Sequence, residues 1–241
     1  MRIGGFVPFT LVDYPEHISA IVFCQGCCWH CPYCHNQELI DINYKNENAP
    51  AWNEILSFLR NRKGLLDAVV FSGGEPLLQT YLKQAIKQVK ELGFAAVLHT
   101  NGHNPAFLSD ILPELKWVGM DVKAPFPDYH KAVFADLEKQ KKLKTLNVGK
   151  NVEESLDLLL KSSIEFECRT TLDPRVLSKD DLRQIARCLS EKGVKTYAIQ
   201  KYRKTDDSPS QPSDNDINSF FKDKELLSEL NKLFPNFIVR E

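Results

Sequence analysis

The sequence has no excess of charge of either sign: 31 basic and 32 acidic side chains leave a net charge of -1 over 241 residues. A protein that holds nucleic acid or an anionic membrane through a broad charged surface needs a cationic excess, because binding releases counterions from phosphates. We therefore expect neither nucleic acid nor a membrane among the partners. The composition, 43% hydrophobic and 26% charged, is that of a soluble globular protein and excludes disorder and collagen.

Long apolar runs are also missing. No uninterrupted apolar stretch approaches the roughly 20 residues of a membrane span. The opening Met1–Gly5 lacks the pattern of a signal peptide, and Asp13 and Glu16 follow soon after. We therefore expect a cytoplasmic location, where the seven cysteines would not form a disulfide framework. Five of them crowd into one short segment, which suggests a metal site. They are Cys24, Cys27, Cys28, Cys31 and Cys34.

Short β-branched or aromatic runs alternate with stretches of helical period. This alternation predicts an α/β fold with parallel strands and covering helices. Strands are expected at residues 18–23, 66–71, 94–99, 117–122, 164–169 and 196–200, with a short one at 237–239. Helices are expected at residues 51–61, 77–92, 105–112, 151–162, 179–192 and 217–233.

The chain shows no internal repeat, so we expect one domain over residues 1–241. Its core would occupy about residues 16–202, after an amino-terminal extension at 1–15. The carboxyl-terminal part, 203–241, would hold a polar loop, a helix and a short strand. The polar, proline-broken segment 204–216 is typical of a surface loop.

The cysteine segment follows the first strand, at the end of a parallel sheet where α/β folds place their chemistry. Three thiolates from one loop can each hold an iron of a 4Fe-4S cluster and leave the fourth iron open. The spacing C-x3-C-x2-C occurs here in two registers. One consists of Cys27, Cys31 and Cys34, the other of Cys24, Cys28 and Cys31. Tyr33 favours the first register, because a purine could stack on an aromatic ring placed just before its last cysteine.

Zinc is the main alternative for this segment, with His30 or His35 completing four ligands. Zinc sites usually pair two separated cysteine knuckles, however, and only one cluster of cysteines is present. A closed electron-transfer cluster would call for four cysteines. Cys168 and Cys188 are isolated and are interpreted as small buried hydrophobes.

Polar groups and glycines stand at the ends of the following strands. Ser72–Pro76 reads Ser-Gly-Gly-Glu-Pro, in which the glycines permit close approach of the backbone to a ligand and Glu75 offers an acceptor to an ammonium group. The next strand ends in the polar turn His99–Gly102. Asp121 and Lys123 come two residues apart at the end of the fourth strand, and as an exposed ion pair they would contribute little.

The fifth strand alternates, so that Glu165, Glu167 and Arg169 share one face. Charged groups on a face that lines a barrel need partners, because a buried unpaired charge is costly. We therefore expect ion-pair partners for this face.

Together these motifs resemble those of the radical S-adenosylmethionine (SAM) superfamily, and within it the glycyl-radical-enzyme activases. The resemblance spans roughly residues 3–202. It rests on Cys27-x3-Cys31-x-Tyr33-Cys34, on Gly73-Gly74-Glu75-Pro76 and on Asp121-Val122-Lys123. Residues 4–15 and 27–36 are most similar to the activating proteins of anaerobic ribonucleoside-triphosphate reductase. The fold implied by the resemblance is a partial (β/α)6 TIM-like barrel.

The resemblance implies one 4Fe-4S cluster held by Cys27, Cys31 and Cys34, and SAM as the second cofactor. SAM would be cleaved reductively to a 5′-deoxyadenosyl radical, which takes hydrogen from a glycine of a partner enzyme. A flavodoxin or ferredoxin-type donor would supply the electron, and no side chain beyond the cluster and cofactor is predicted to be catalytic. The implied cofactor-binding residues are Tyr33, Cys34, His35, Gly73, Gly74, Glu75, Thr100, Asn101, Asp121, Val122, Lys123, Arg169 and Gln200.

Two positions depart from activases of the pyruvate formate-lyase type. His99 stands where those enzymes have aspartate, so their cation site is not expected here. Those enzymes also carry a histidine near the end of the sixth strand, where this sequence has Gln200. Three alternatives to a reductase activase stay open. They are a pyruvate formate-lyase-type activase, a small-molecule enzyme of the 7-carboxy-7-deazaguanine synthase type, and a non-catalytic zinc or iron-sulfur module.

Overall fold

A computed structural model describes residues 1–134, 148–204 and 211–241. The chain divides into two compact units. The first consists of Met1–Trp29, Asn36–Gly119 and Ser163–Glu165, and the second of His30–His35, Met120–Ser162 and Phe166–Glu241.

Strands and helices alternate along the described chain. The strands are β1 (Ile3–Thr10), β2 (Ser19–Cys24), β3 (Ala68–Gly73), β4 (Ala95–Thr100), β5 (Trp117–Asp121), β6 (Glu165–Leu172), β7 (Thr196–Lys201) and β8 (Asn236–Arg240). The helices are α1 (Trp52–Arg60), α2 (Leu82–Glu91), α3 (Pro105–Ile111), α4 (His130–Val133), α5 (Val148–Lys161), α6 (Lys179–Lys192), α7 (Asp214–Phe221) and α8 (Lys224–Asn231). This alternation confirms the predicted α/β class.

In the first unit, β2, β3 and β4 run parallel, with Cys24 opposite Gly73 and Phe71 opposite Leu98. The strand β1 pairs antiparallel with β2. Alternate residues of these strands pack into one apolar core. That core consists of Tyr14, Ile21, Ala68, Val70, Val97 and Trp117. The parallel register therefore brings the ends of β2 and β3 side by side.

In the second unit, β6, β7 and β8 run parallel. The amide of Val122, just after β5, donates to the carbonyl of Arg169 on β6 at 2.8 Å. A smaller apolar cluster joins Tyr33, Tyr202 and Ile217. The tyrosine of the cysteine segment is thus part of the packed interior of this unit.

The strand β1 lies within the predicted amino-terminal extension, where the sequence did not indicate a strand. Gly4, Gly5 and Pro8 lower the strand propensity of this segment. Its antiparallel pairing with β2 is interrupted by register shifts. The strand therefore forms because it pairs with β2, and the local sequence does not predict this pairing.

Two predicted helices were wrong in their limits. The predicted 77–92 helix begins only at Leu82, because Gln79 is extended and its side chain bonds the amide of Arg2 and the carbonyl of Gln25. The predicted 217–233 helix is two helices, since Asp223 interrupts it and caps the second by accepting from the amide of Leu226. Residues 205–210 of the predicted loop lie outside the described residues.

None of the helices within residues 1–134, 148–204 and 211–241 combines the length and hydropathy needed to cross a bilayer.

The predicted charged face of β6 finds a partner on β8. The Arg240 guanidinium donates to both carboxylate oxygens of Glu167, at 2.7 and 2.9 Å. The Glu167 side chain is 3% exposed and that of Arg240 is 31% exposed. A bidentate pair fixes geometry as well as charge, so it ties the last strand of the chain to β6.

Replacing Arg240 by methionine should lower the free energy of unfolding by about 3 kcal/mol, because it leaves a buried carboxylate without its cation. This figure is at the lower end for such pairs, since Arg240 is partly exposed. Urea denaturation measures the loss. The matched control is Arg187→Met on α6, an exposed arginine. Adding Glu167→Gln should restore more than half of the stability, and equal losses in the Arg240 and Arg187 variants would contradict the prediction.

Candidate functional site

The Gly-Gly-Glu turn after β3 lies directly on the backbone that begins the cysteine segment. The amide of Gly74 donates to the carbonyl of Cys24 and that of Glu75 to the carbonyl of Gly26, both at 2.9 Å. A β-carbon on Gly74 would come within 2.3 Å of the Gly26 carbonyl oxygen. Gly73 has a φ of +105°, and a β-carbon there would meet the Cys24 amide at 2.5 Å. Only glycine fits at either position.

The carboxylate of Glu75 joins the end of β3 to the end of β4. One oxygen accepts from the Leu77 amide at 2.9 Å and from the Thr100 hydroxyl at 2.6 Å. The other accepts from the Asn101 amide at 2.8 Å. Glu75 is 1% exposed, and this burial raises its pKa to about 8 although the hydrogen bonds act in the opposite direction. Four predicted site residues, Gly73, Glu75, Thr100 and Asn101, are therefore brought together.

The three cysteines of the first unit have different surroundings. Cys24 is completely buried, and burial raises the pKa of its thiol. Cys27 is partly exposed, and its sulfur accepts from the amide of Trp29 at 3.5 Å. The pKa of Cys28 is raised mainly by a hydrogen bond with Cys27 and secondly by burial. Burial therefore separates Cys24 from Cys27 and Cys28, which spacing does not.

Two histidines of this unit acquire contacts that sequence reasoning did not predict. The Nε2 atom of His99 lies 2.7 Å from the carbonyl oxygen of Asp13. His103 packs edge-on against Trp29 with ring centroids 6.5 Å apart, and burial lowers its pKa to about 4. The amide of His103 donates to the Asn101 side chain at 3.0 Å. Neither histidine stands in a motif with a spacing that could have revealed these contacts.

In the second unit, Asp121 pairs with two cations. Its Oδ1 accepts from Arg169 Nε at 3.0 Å and Nη2 at 2.9 Å, and its Oδ2 from Lys123 Nζ at 3.1 Å. The side chains of Arg169 and Lys123 are only 11% and 15% exposed. The expected local ion pair is therefore part of a group that carries one net positive charge. We call Asp121, Lys123 and Arg169 the Asp121 group.

Tyr129, which sequence reasoning missed, holds the backbone of this group. Its hydroxyl donates to the carbonyl of Asp121 at 3.1 Å and accepts from the amide of Lys123 at 2.9 Å. The ring is completely buried. Nothing in the local pattern around residue 129 marks it, because its partners are backbone atoms of a neighbouring turn.

Tyr33 lies beside the Asp121 group. Lys123 Nζ is 5.7 Å from the centre of the Tyr33 ring, and the buried Tyr33 hydroxyl has no hydrogen-bond partner within the described part of the chain. The predicted site residue Val122 makes its contact through the backbone, since its carbonyl accepts from Thr170 Oγ1 at 2.7 Å. Gln200 lies on β7 opposite Thr171. No hydrogen bond among the described residues links Gln200 to the Asp121 group.

Cys31 and Cys34 belong to the same unit and are joined by a tight turn. The amide of Cys34 donates to the carbonyl of Cys31 at 3.0 Å. Both thiols are partly exposed and neither is in a disulfide bond. His35 stacks on Tyr202 with ring centroids 5.8 Å apart. The turn therefore presents two thiols on a backbone that packing holds in place.

The donor set fits an iron-sulfur cluster in its chemistry. Cys27, Cys31 and Cys34 form no disulfide bond and are partly exposed, so their thiols are available to a metal. The backbone contact at Gly74 leaves no room for a side chain beside the cysteine segment. Among the described residues, no three histidine, cysteine, aspartate or glutamate side chains are already gathered around a metal position. The structure therefore leaves the choice of ligands to spacing and thiol chemistry.

The two isolated cysteines differ in burial. Cys168 on β6 is completely buried, which confirms its interpretation as a small hydrophobe. Cys188 on α6 is only partly buried, so that interpretation was wrong for its thiol. The α6 face that carries Cys188 lies at the edge of the apolar stripe, beside the buried Leu189.

Known proteins are similar to this chain in sequence. A model of the radical SAM superfamily matches residues 21–162. The "Putative glycyl-radical enzyme activating enzyme" of Methanocaldococcus jannaschii is 31% identical over 243 residues, 98% of this chain and 92% of that protein. The pyruvate formate-lyase-activating enzyme of Clostridium pasteurianum is 34% identical over 137 residues, 55% of this chain and 56% of that enzyme.

A solved structure agrees with these matches in its fold. anSMEcpe with bound AdoMet superposes with a TM-score of 0.63 at 19% identity, over 88% of this chain and 61% of that one. The chain belongs to the radical SAM superfamily. It is a radical SAM enzyme, and it is similar to glycyl-radical activating enzymes.

Replacing Glu75 by glutamine should lower the free energy of unfolding of the metal-free protein by about 1–3 kcal/mol. In either orientation the new amide nitrogen faces a donor, the amide of Leu77 or that of Asn101. Urea denaturation measures the loss, and Glu91→Gln at the exposed end of α2 is the control. Equal losses in the two variants would contradict the prediction.

Wild type and Glu75→Gln should also differ in pH dependence. Because the folded-state pKa of Glu75 is raised to about 8, the folded protein keeps this proton to higher pH than the unfolded chain. Stability contributed by the protonated group is therefore lost as pH rises from about 5 to 8. The substituted glutamine cannot titrate, so the difference in stability between wild type and Glu75→Gln should shrink over this range. A constant difference would contradict the raised pKa.

Proposed function

We propose that this chain cleaves SAM reductively at a 4Fe-4S cluster and generates a glycyl radical on a partner enzyme. The observation that carries the proposal is similarity to a glycyl-radical activating enzyme over 98% of the chain, well beyond the short cofactor motifs. A non-catalytic zinc or iron-sulfur module leaves the buried arrangement of Glu75 and the Asp121 group without a purpose.

We assign the cluster ligands to Cys27, Cys31 and Cys34. The other register needs Cys24 as a thiolate, yet Cys24 is 0% exposed and its pKa is raised by burial. Forming a thiolate in an apolar surrounding is costly. The partial exposure of Cys27, Cys31 and Cys34 supports the first register. Cys28, which is hydrogen-bonded to Cys27, is not a ligand in this assignment.

The methionine end of SAM would meet the turn formed by Gly73, Gly74 and Glu75. A carboxylate oxygen can accept two hydrogen bonds, and the described contacts give Glu75 Oε2 only the one from Asn101. Its remaining acceptor position suits an ammonium group. Thr100 and Asn101 would act through Glu75, because they hold its carboxylate in one orientation.

The remainder of SAM would be bound by the Asp121 group and four further residues. Lys123 and Arg169 would attract the SAM carboxylate or ribose oxygens, since together with Asp121 they carry a net positive charge. Four further residues complete the proposed set. They are Tyr33 and Gln200 for the adenine, and His35 and Val122 beside them.

Cluster and SAM together would supply one-electron cleavage of a carbon-sulfur bond and a carbon radical able to take hydrogen from glycine. The side chains named above bind and orient the cofactor, and the buried placement of Glu75 and Tyr33 limits water around it. No side chain of this set needs to exchange a proton with the substrate. The proposed catalytic chemistry therefore needs no further residue beyond the cluster and SAM.

We propose anaerobic ribonucleoside-triphosphate reductase as the partner, with a flavodoxin or ferredoxin-type protein as electron donor. The support is the similarity of residues 4–15 and 27–36 to activating proteins of that reductase. The second candidate is a pyruvate formate-lyase-type enzyme, favoured by 34% identity over 137 residues to such an activase.

Alanine at Cys34 should abolish 5′-deoxyadenosine formation, whereas alanine at Cys24 should preserve at least half of it. Cys34 is a ligand only in the assigned register and Cys24 only in the other. Anaerobically reconstituted and chemically reduced protein is assayed with SAM, together with iron content. Cys188→Ala, a partly exposed thiol far from the motif in sequence, is the control. Loss of product in Cys24→Ala with retention in Cys34→Ala would reverse the assignment.

The partner is identified by electron paramagnetic resonance. Incubation of the reduced enzyme with SAM and anaerobic ribonucleoside-triphosphate reductase should produce a glycyl radical signal, which a glycine-to-alanine variant of the reductase must lack. Pyruvate formate-lyase is run in parallel. A signal on the lyase alone would replace the proposed partner, and turnover of a purine-like small molecule without either protein would contradict the activase function.

A further inference from the structure

A group of side chains after β6 and β7 holds the turn that carries two of the cysteines. Its centre is Asp173, whose carboxylate is 0% exposed. It accepts from the amide of Arg175 at 2.9 Å, from Arg175 Nε at 3.0 Å and from Arg175 Nη2 at 2.5 Å. A buried carboxylate is retained only when its partner and hydrogen bonds offset the loss of water. The guanidinium of Arg175 is therefore fixed in one orientation.

The same guanidinium reaches the cysteine turn. Its Nη2 donates to the carbonyl of Pro32 at 3.3 Å, and Pro32 directly follows Cys31 in the sequence. The planar fork of arginine can bond two acceptors at once, which a lysine ammonium does with less directional control. Asp173 thereby orients Arg175 toward Pro32.

The Tyr202 ring contacts both Arg175 and the cysteine turn. The guanidinium carbon of Arg175 lies 5.1 Å from the centre of the Tyr202 ring, and His35 stacks on the same ring at 5.8 Å. Tyr202 also packs with Tyr33 in the apolar cluster that Cys31 touches. Residues 31–35 are therefore held by a backbone hydrogen bond, a buried tyrosine and a ring stack.

We propose that Arg175 is a positioning residue that, together with Asp173 and Tyr202, holds the Cys31–His35 turn ready for iron. This inference rests on the proposed cluster assignment. A turn that is ordered before the metal arrives loses less conformational entropy on binding, so the cluster is retained more tightly. Groups that orient metal ligands without touching the metal commonly contribute about ten- to hundredfold in affinity.

The test measures iron retention and fold stability separately. The double variant Asp173→Asn/Arg175→Met removes the buried charge together with its partner, while asparagine can still accept the amide of residue 175. We expect the metal-free variant to unfold within a small margin of the wild type, because no unpaired charge remains. The reconstituted variant should lose iron to an anaerobic chelator about tenfold faster or more.

One single variant keeps the test independent of folding defects. Arg175→Lys keeps a cation beside Asp173 and should fold like the wild type, yet lose iron faster because an ammonium bonds two acceptors with less directional control than a guanidinium. Arg183→Met is the matched control, because it removes an ion pair between Arg183 on α6 and Glu229 on α8.

The outcomes separate this inference from the proposed function. Wild-type iron retention in both Arg175→Lys and the double variant would overturn the positioning role. Faster iron loss in Arg183→Met to the same extent would also overturn it, since the effect would then be general. A wild-type protein that takes up no iron after anaerobic reconstitution would instead contradict the cluster assignment itself.

Discussion

The buried carboxylate of Glu75 is the interaction on which the first unit depends. It receives donors from the turn after β3 and from the end of β4, so two neighbouring strand ends share one acceptor. The glycine pair before it lets the same turn approach the backbone of Cys24 and Gly26. Strand pairing, glycine sterics and a buried carboxyl group therefore converge on the backbone from which the cysteine segment departs.

In the second unit, acidic side chains are repeatedly paired with arginines. Three of its acidic groups are each paired with an arginine: the buried Glu167 and Asp173 and the partly exposed Asp121. The pairs serve different elements, since one ties the last strand to β6 and another reaches the cysteine turn. Such pairs are a weak source of net stability, but they fix one geometry because breaking them leaves an uncompensated charge.

The sequence predicted what depends on periodicity and short motifs. Strand and helix alternation follows from hydrophobic patterning, and the grouping of Glu75 with Thr100 and Asn101 follows from their positions at adjacent strand ends. It did not reveal β1, because pairing with β2 is tertiary. Tyr129 and Arg175 were missed for a related reason: both act on backbone atoms of other turns, which leave no pattern in the local sequence.

The crowded cysteines show how burial decides what spacing leaves open. Two registers have identical spacing, so spacing alone does not choose between them. Cys24, however, is at the end of a buried strand, where its backbone amide and carbonyl face the glycine turn and its sulfur is removed from water. The chain leaves β2 only after this residue. A thiol still within the sheet is constrained by strand geometry, whereas those that follow lie in a loop whose conformation can be adapted to a metal. The boundary of β2 therefore separates a structural cysteine from the proposed ligands.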